Sequence, residues 1–330
     1  MLNPSNKPPQ FKLRINQHKR LQINDPKIDK LAALTYKWDS QAVKDIEKHL
    51  FDGIFRDAII IPESRSKTTT AFNLYTPPRI VGEASFMEIQ TTPSQSRIRF
   101  QFNPAEMNEQ RWHLMNRWTQ DYLSCDNFPG VLIDTKVTRL DICRDIHGMF
   151  IEDYFFKMKH ARARDNFKKD HTGVLGTIVF GVSTANQFTI YNKAAQQGLN
   201  PYTAQPWTRV EYKYRPDPAL YMSDLRDIKN PFPKLEIYGL DAEIIEAIPP
   251  EYFIWFMDSC RFRGVAGALK AANLEDKFKG KVTRQLKERL LPLWASAQKD
   301  WDGKWDDALR KANLYETVMS STKQVKGEIR

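Results

Sequence analysis

Residues 97–103 read Arg97-Ile98-Arg99-Phe100-Gln101-Phe102-Asn103, polar and apolar in strict alternation. Side chains on a strand alternate between its two faces, so Ile98, Phe100 and Phe102 are predicted to face a core and the arginines to point outward. The same period of two runs through residues 79–215. It predicts strands at 136–146, at 174–180 paired with 186–193, and at 207–215. On either side the period changes to that of a helix. Ala42, Val43, Ile46, Leu50 and Phe51 predict a helix over 40–57, and Trp112, Leu114, Met115, Trp118 and Tyr122 one over 105–124. After Pro250, helices are predicted at 251–260, 264–273, 282–295 and 303–319. The expected class is α+β: a central, mostly antiparallel β-sheet domain with helical flanks and a helical C-terminal segment. The expected division is a basic N-terminal segment with a helix (1–78), the β-sheet domain (79–245) and a basic helical C-terminal domain (246–330). No internal repeat is visible.

Composition narrows the function. The chain has 330 residues, 41% of them apolar and 12% aromatic, which is enough for a core and excludes a fully disordered chain. No uncharged apolar run reaches the ~18–20 residues of a membrane span. The opening MLNPSNKPPQ lacks the apolar stretch of a signal peptide, and Cys125, Cys143 and Cys260 form no metal knuckle. The expectation is a reduced, soluble, intracellular protein without a membrane partner. The formal charge is +10. Residues 1–37 carry +6 and residues 261–330 carry +7, so both ends are basic and the middle is acidic by −3. Such ends favour an acidic partner, most often nucleic acid.

The polar faces of three strands carry the chemistry. In Val137-Thr138-Arg139-Leu140-Asp141-Ile142-Cys143-Arg144-Asp145-Ile146, Leu140, Ile142 and Ile146 share one face, while Arg139, Asp141 and Asp145 share the other. In Thr208–Arg215, Val210, Tyr212 and Tyr214 oppose Arg209, Glu211, Lys213 and Arg215. In Phe188–Lys193, Phe188 and Ile190 go inward, and Tyr191 and Lys193 go to the polar face. If these strands are neighbours, their polar side chains lie about 5 Å apart. Asp141 and Glu211 could then share a divalent cation, Mg²⁺ or Mn²⁺, which takes one or two carboxylates plus water and phosphate oxygens. Tyr191 beside that cation is a candidate nucleophile for a phosphodiester, with Lys193 stabilising the phenolate or gripping phosphate. The plainer alternative is a solvated face laced with cross-strand ion pairs.

The three strands resemble those of rolling-circle replication initiators, in the group that holds plasmid initiators of the Rep-trans type and the filamentous-phage replication initiation proteins. Thr138-Arg139-Leu140-Asp141 is similar to that family's Thr/Ser-Arg-Ile-Asp strand. Gly176–Gly181 followed by Ile190-Tyr191-Asn192-Lys193 resembles its Phe-Gly-Ser turn and Ile-Tyr-Asp-Lys. Thr208-Arg209-Val210-Glu211 resembles its Thr-Arg-Ile-Glu. The order matches, over roughly residues 137–215. The resemblance implies a β-sheet nicking domain that cuts one strand at a replication origin, keeps the 5′-phosphate on tyrosine and rejoins it. By position, Tyr191 would be the nucleophile, and Asp141 and Glu211 the carried-over acids. Val179 and Val182 stand where relatives often have Tyr and Ser, and Asn192 replaces the usual Asp, which leaves Tyr191 as the motif tyrosine. No two of the six histidines are two apart, so the His-hydrophobe-His class of nicking enzymes finds no support. No Gly-x-x-x-x-Gly-Lys-Ser/Thr loop is present, so unwinding would fall to a host helicase.

DNA contacts are expected from Arg139, Arg209 and Lys213 on the sheet. Further contacts are expected from Lys277, Lys281 and Arg284, a basic stripe opposite Val282, Leu286 and Leu290 on the second helix of a helix–turn–helix. Two readings follow: a metal-dependent enzyme that nicks and joins origin DNA, duplex or single-stranded, or a non-catalytic protein that binds an origin or operator.

Overall fold

Arg97–Phe102 form a strand in which Ile98, Phe100 and Phe102 are buried and the residues between them are half-exposed, as the alternation predicts. The computed structural model describes residues 21–52, 54–55, 58–79, 84–159, 166–169, 175–182, 184–199, 204–239, 248, 250–272, 276–287 and 290–327. The first half holds β1 (Gln22–Ile23), β2 (Lys27–Thr35), α1 (Ser40–Phe51), β3 (Ile54–Phe55), β4 (Ala58–Arg65), β5 (Thr70–Tyr75), β6 (Met87–Thr92), β7 (Arg97–Phe102), α2 (Glu109–Leu123) and α3 (Phe128–Ile133). The second holds β8 (Lys136–His147), β9 (Tyr154–Met158), β10 (Asn166–Lys169), β11 (Leu175–Phe180), β12 (Gln187–Asn192), α4 (Lys193–Gln196), β13 (Trp207–Tyr214), β14 (Leu220–Tyr221) and β15 (Leu235–Gly239). Then come α5 (Pro250–Ala271), α6 (Asp276–Lys287), α7 (Pro292–Ala297), α8 (Trp301–Lys311) and α9 (Tyr315–Gly327).

The fold is α+β around a large antiparallel sheet, in the order β10-β11-β12-β13-β8-β2-β7-β6-β5-β4-β3, with β1 and β14 pairing the two ends of β8, and β9 pairs with β15 in a separate two-stranded sheet. The topology is used twice. β2 opens a meander β4-β5-β6-β7 whose last strand returns to pair with β2. β8 opens a second, β10-β11-β12-β13, whose last strand returns to pair with β8. The two first strands then pair with each other and close the sheet. This is an internal structural repeat that the sequence does not display.

One hydrophobic core lies on the face that carries Phe100, Ile142, Phe188 and Val210, and helices from both ends of the chain contribute to it. Trp118 of α2 and Phe128 of α3 meet Phe100 edge-on at 6.2 and 5.3 Å between ring centroids. The C-terminal helices are fastened by indoles: Trp294, Trp301 and Trp305 donate to the carbonyls of Leu235, Ile228 and Leu225 at 2.8, 2.8 and 2.7 Å. A buried N–H needs such a partner, so Trp294 ties α7 to the start of β15, and Trp301 and Trp305 tie α8 to the connection between β14 and β15.

Several sequence expectations change. The core runs across both expected boundaries, because β2 sits mid-sheet and α7–α9 pack on the sheet's own core. The helix expected over 40–57 stops at Phe51. The one expected from 105 begins at Glu109, where the Asn108 side chain accepts from the Arg111 amide. Segments 251–260 and 264–273 form the single helix α5. Segment 282–295 is interrupted where Leu290 bridges to Tyr238, and 303–319 where Asn313 turns to positive φ. No described helix is long and apolar enough to cross a membrane.

Candidate active site

Register assembles the three motif strands side by side, in the order β12-β13-β8. Three rows cross the polar face. Tyr191, Arg209 and Asp145 form one, Thr189, Glu211 and Cys143 the next, and Gln187, Lys213 and Asp141 the third. The parity arithmetic therefore holds, and Tyr191, Glu211 and Asp141 share a face on consecutive strands. Asp141 and Glu211 are diagonal neighbours across the β8–β13 pair rather than direct partners.

Tyr191 donates its phenol hydrogen to Glu211 Oε2 at 3.2 Å. Burial first, and the Glu211 carboxylate second, push the Tyr191 hydroxyl above its ordinary pKa. Burial and the neighbouring Asp141 push the Glu211 carboxyl up as well, against the pull of Lys213, whose Nζ lies 3.6 Å from Glu211 Oε1. Asp141 is 1% exposed, and Arg139 chelates both of its carboxylate oxygens, Nε reaching Oδ1 at 2.9 Å. Arg139, expected at DNA, spends its guanidinium there.

Arg209 is likewise drawn inward. It is 7% exposed, with Nε and Nη2 on the two oxygens of Asp145 at 2.7 and 3.0 Å and Nη1 on Asp29 at 2.6 Å. Burial alone would raise the Asp145 carboxyl, but the Arg209 hydrogen bonds outweigh it and hold Asp145 below its usual range. Expected to meet DNA, Arg209 is instead a clasp between β13, β8 and the bulge of β2. Lys213 faces Glu211. Lys193 is not a strand residue. β12 ends at Asn192, whose side chain caps α4 by accepting from the Ala195 amide at 3.0 Å, and Lys193 Nζ reaches Gln196 at 2.6 Å rather than Tyr191. A cap of this kind suits Asn or Asp, which accounts for Asn192 at that position. Val179, across from Thr189, lies on the polar face with no hydroxyl to offer.

Gly181 ends β11 with φ +98°, and a Cβ there would stand 2.8 Å from the Asn186 carbonyl oxygen, so the turn into β12 requires glycine. On the helical pair, Lys277 and Arg284 are exposed and Lys281 half-exposed, while Val282 is buried, as the stripe reading has it. Leu286 and Lys287 lie outside the residues whose side chains are described. The sequence reading passed over Asp29, which lies 180 positions from its partner Arg209. It also passed over Arg144, whose parity puts it on the core face. There its guanidinium stacks 5.3 Å from the Phe232 ring centroid and donates to the Asn24 carbonyl at 3.0 Å. Burial draws the Arg144 pKa down to about 10.

Among the described residues no group of three His, Cys, Asp or Glu side chains is placed to hold a metal. A hard cation that takes one or two carboxylates and completes its shell with water and phosphate needs only Asp141 and Glu211. Burial first, and the like charge of Asp141 second, raise Glu211, and a cation held between the two carboxylates would offset the second of these, so the donor set fits it.

No family model matches this chain, and no curated protein does. Among solved structures, the fold is similar to that of a rolling circle replication initiator protein from Geobacillus stearothermophilus. The identity is 16% and the TM-score 0.31, over 59% of this chain and 75% of that one, which leaves the two folds loosely alike.

Proposed function

We propose that the polar sheet face nicks and rejoins DNA, with Tyr191 as nucleophile. The observation that supports it is the hydrogen bond from the Tyr191 phenol to Glu211, on the strand beside it, within the ordered motifs that resemble replication initiators. A phenol whose ionisation is suppressed needs a base, and Glu211 is in contact and more basic than an ordinary glutamate. In the proposed step the Tyr191 oxygen attacks the phosphorus of a DNA phosphodiester and its proton passes to Glu211. The bond from phosphorus to the 3′-oxygen breaks, and that oxygen leaves as a hydroxyl with a proton from water. The 5′-phosphate stays on Tyr191. Attack by a 3′-hydroxyl reverses each transfer and rejoins the strand. Asp141 and Glu211 are the residues that would hold Mg²⁺ or Mn²⁺, and a bound cation supplies polarisation of the phosphoryl oxygen. Arg139 orients Asp141, and Arg209 holds β13 against β8 so that Glu211 stays opposite Tyr191.

The test is covalent capture. Incubated with a random-sequence single-stranded DNA library and Mg²⁺ or Mn²⁺, the protein is expected to form a denaturant-resistant adduct that maps to Tyr191 by mass spectrometry. Tyr191→Phe keeps the ring and is expected to form none. An adduct on the Phe variant, or one mapped to another residue, rejects the assignment. Sequence-specific binding with no adduct in the wild type would favour the non-catalytic origin-binding reading.

A further inference from the structure

The polar face continues beyond the tyrosine, across the seam between the two meanders. β8 pairs with β2, and β2 with β7, so the row that begins at Arg139 passes over Ala32 to Gln101 and Glu88. The adjoining rows of β7 bring Arg99 and Arg97 to the same face, and Arg215 follows directly on β13 beside Arg139. Ala32, the small residue between the two sides, leaves the middle of this row without a long side chain. Four guanidinium groups thus gather on the open face. Their carboxylate partners are few: Asp141 on Arg139, and Glu88 at 3.9 Å from Arg99. Among the described residues neither Arg97 nor Arg215 has an ion-pair partner, and the buried Nη1 of Arg215 has no hydrogen-bond acceptor. Burial first, and then repulsion from Arg139, Arg215 and Arg97, lower the Arg99 pKa against the pull of Glu88.

We infer that Arg97, Arg99 and Arg215 form a binding site for the phosphodiester backbone of single-stranded DNA, leading it across the seam to Tyr191. The inference rests on the nicking reading for its direction, but the binding itself does not require the chemistry. Arg97 and Arg215 stand beside two further guanidinium groups with no carboxylate of their own among the described residues, an arrangement that an anion relieves, and guanidinium forks match phosphate oxygens in pairs. Arg215 lies four residues along β13 from Glu211, about 14 Å at roughly 3.4 Å per residue. The β7 arginines lie two strands beyond β8, roughly 10 Å further across. That separation spans a few nucleotides of an extended strand. The first meander contributes Arg97 and Arg99 to the grip, and the second contributes Arg215 together with Asp141, Glu211 and Tyr191. Phosphate contacts of this kind fix register and orientation without reading sequence.

The experiment measures binding of a fluorescein-labelled oligothymidylate to the full chain by anisotropy at several salt concentrations. For single strands, log K falls with log salt by about 0.7 per phosphate contact. The triple variant Arg97→Gln, Arg99→Gln, Arg215→Gln is expected to make that slope shallower by about 2, with its melting temperature checked against wild type. The charge-retaining variant Arg97→Lys, Arg99→Lys, Arg215→Lys is expected to keep the wild-type slope, which separates lost charge from lost fold. An unchanged slope in the Gln variant overturns the inference while leaving the nicking reading intact. A slope that falls only on a duplex of the same length also overturns it. A shallower slope on the single strand, in a protein that forms no Tyr191 adduct, supports the grip and rejects the chemistry. Absence of single-strand binding by the wild type overturns both.

Discussion

Replacing Arg209 by methionine removes three hydrogen bonds and keeps the bulk of the aliphatic stem. Asp145, 0% exposed, would be left with Lys27 at 3.3 Å as its cationic partner. Removing one partner of a buried pair costs about 3–5 kcal/mol, because the other charge stays buried without compensation. Lys27 is half-exposed and retains part of the interaction, which puts Arg209→Met near the lower end, about 3 kcal/mol at pH 7. The pH dependence has a definite sign. In the wild type Asp145 has a depressed pKa, so its contribution is present above the unfolded carboxylate value and is lost as the pH falls through the folded one. In the variant, burial acts on Asp145 without the clasp and raises its pKa, so the carboxyl takes up a proton earlier on acidification. The stability gap between the two proteins should therefore be widest near neutrality and narrow toward pH 4. Denaturant unfolding at a series of pH values measures it, and the double variant Arg209→Met, Asp145→Leu should recover part of the loss. A cost below about 1 kcal/mol at pH 7, which is what a solvated surface pair gives, or a gap that widens with acid, would refute the clasp.

Three further outcomes are expected. Asp141→Asn removes the like charge that helps raise Glu211, so the Glu211 carboxyl should titrate lower in a carbon-13 NMR titration; an unmoved titration would place the two carboxylates out of reach of each other. Gly181→Ala should cost about 1–3 kcal/mol in unfolding free energy, from the positive φ together with the clash on the Asn186 carbonyl, and a neutral result would mean that the turn relaxes freely. Neutralising Lys277, Lys281 and Arg284 together should make the salt dependence of duplex binding shallower by up to about 0.9 per lost contact, and an unchanged slope would mean that this stripe faces solvent.

The site was more legible than the frame that carries it. Alternation placed Tyr191, Glu211 and Asp141 on one face because polar and apolar residues alternate along each of those strands, even where both faces are buried. β2 escaped the same reading for a physical reason. Its Leu31-Ala32-Ala33-Leu34 run is buried on both faces between β7 and β8, and a strand covered on both sides loses its period of two. Without β2, the residues before 79 looked like an appendage and the repeat stayed hidden. Lys193 was misplaced because the strand was extended past Asn192, although an asparagine before Lys-Ala-Ala-Gln is a readable helix start. Arg209 read as a free cation because its acceptor Asp29 lies far away in sequence. Arg144 was readable, since its parity already put a charge among Leu140, Ile142 and Ile146.

The seam between the meanders also sets a timetable for synthesis. β7 is complete at residue 102 and β8 at residue 147, so β2 gains its second neighbour 45 residues after its first. At about 5–20 residues per second, the nascent first meander carries one unpaired edge for on the order of 2–9 s. That edge exposes Leu31 through Leu34, an apolar strand that another nascent chain could extend. Lys27 and Lys30, at its entrance, are the charges that stand against such mispairing until β8 arrives.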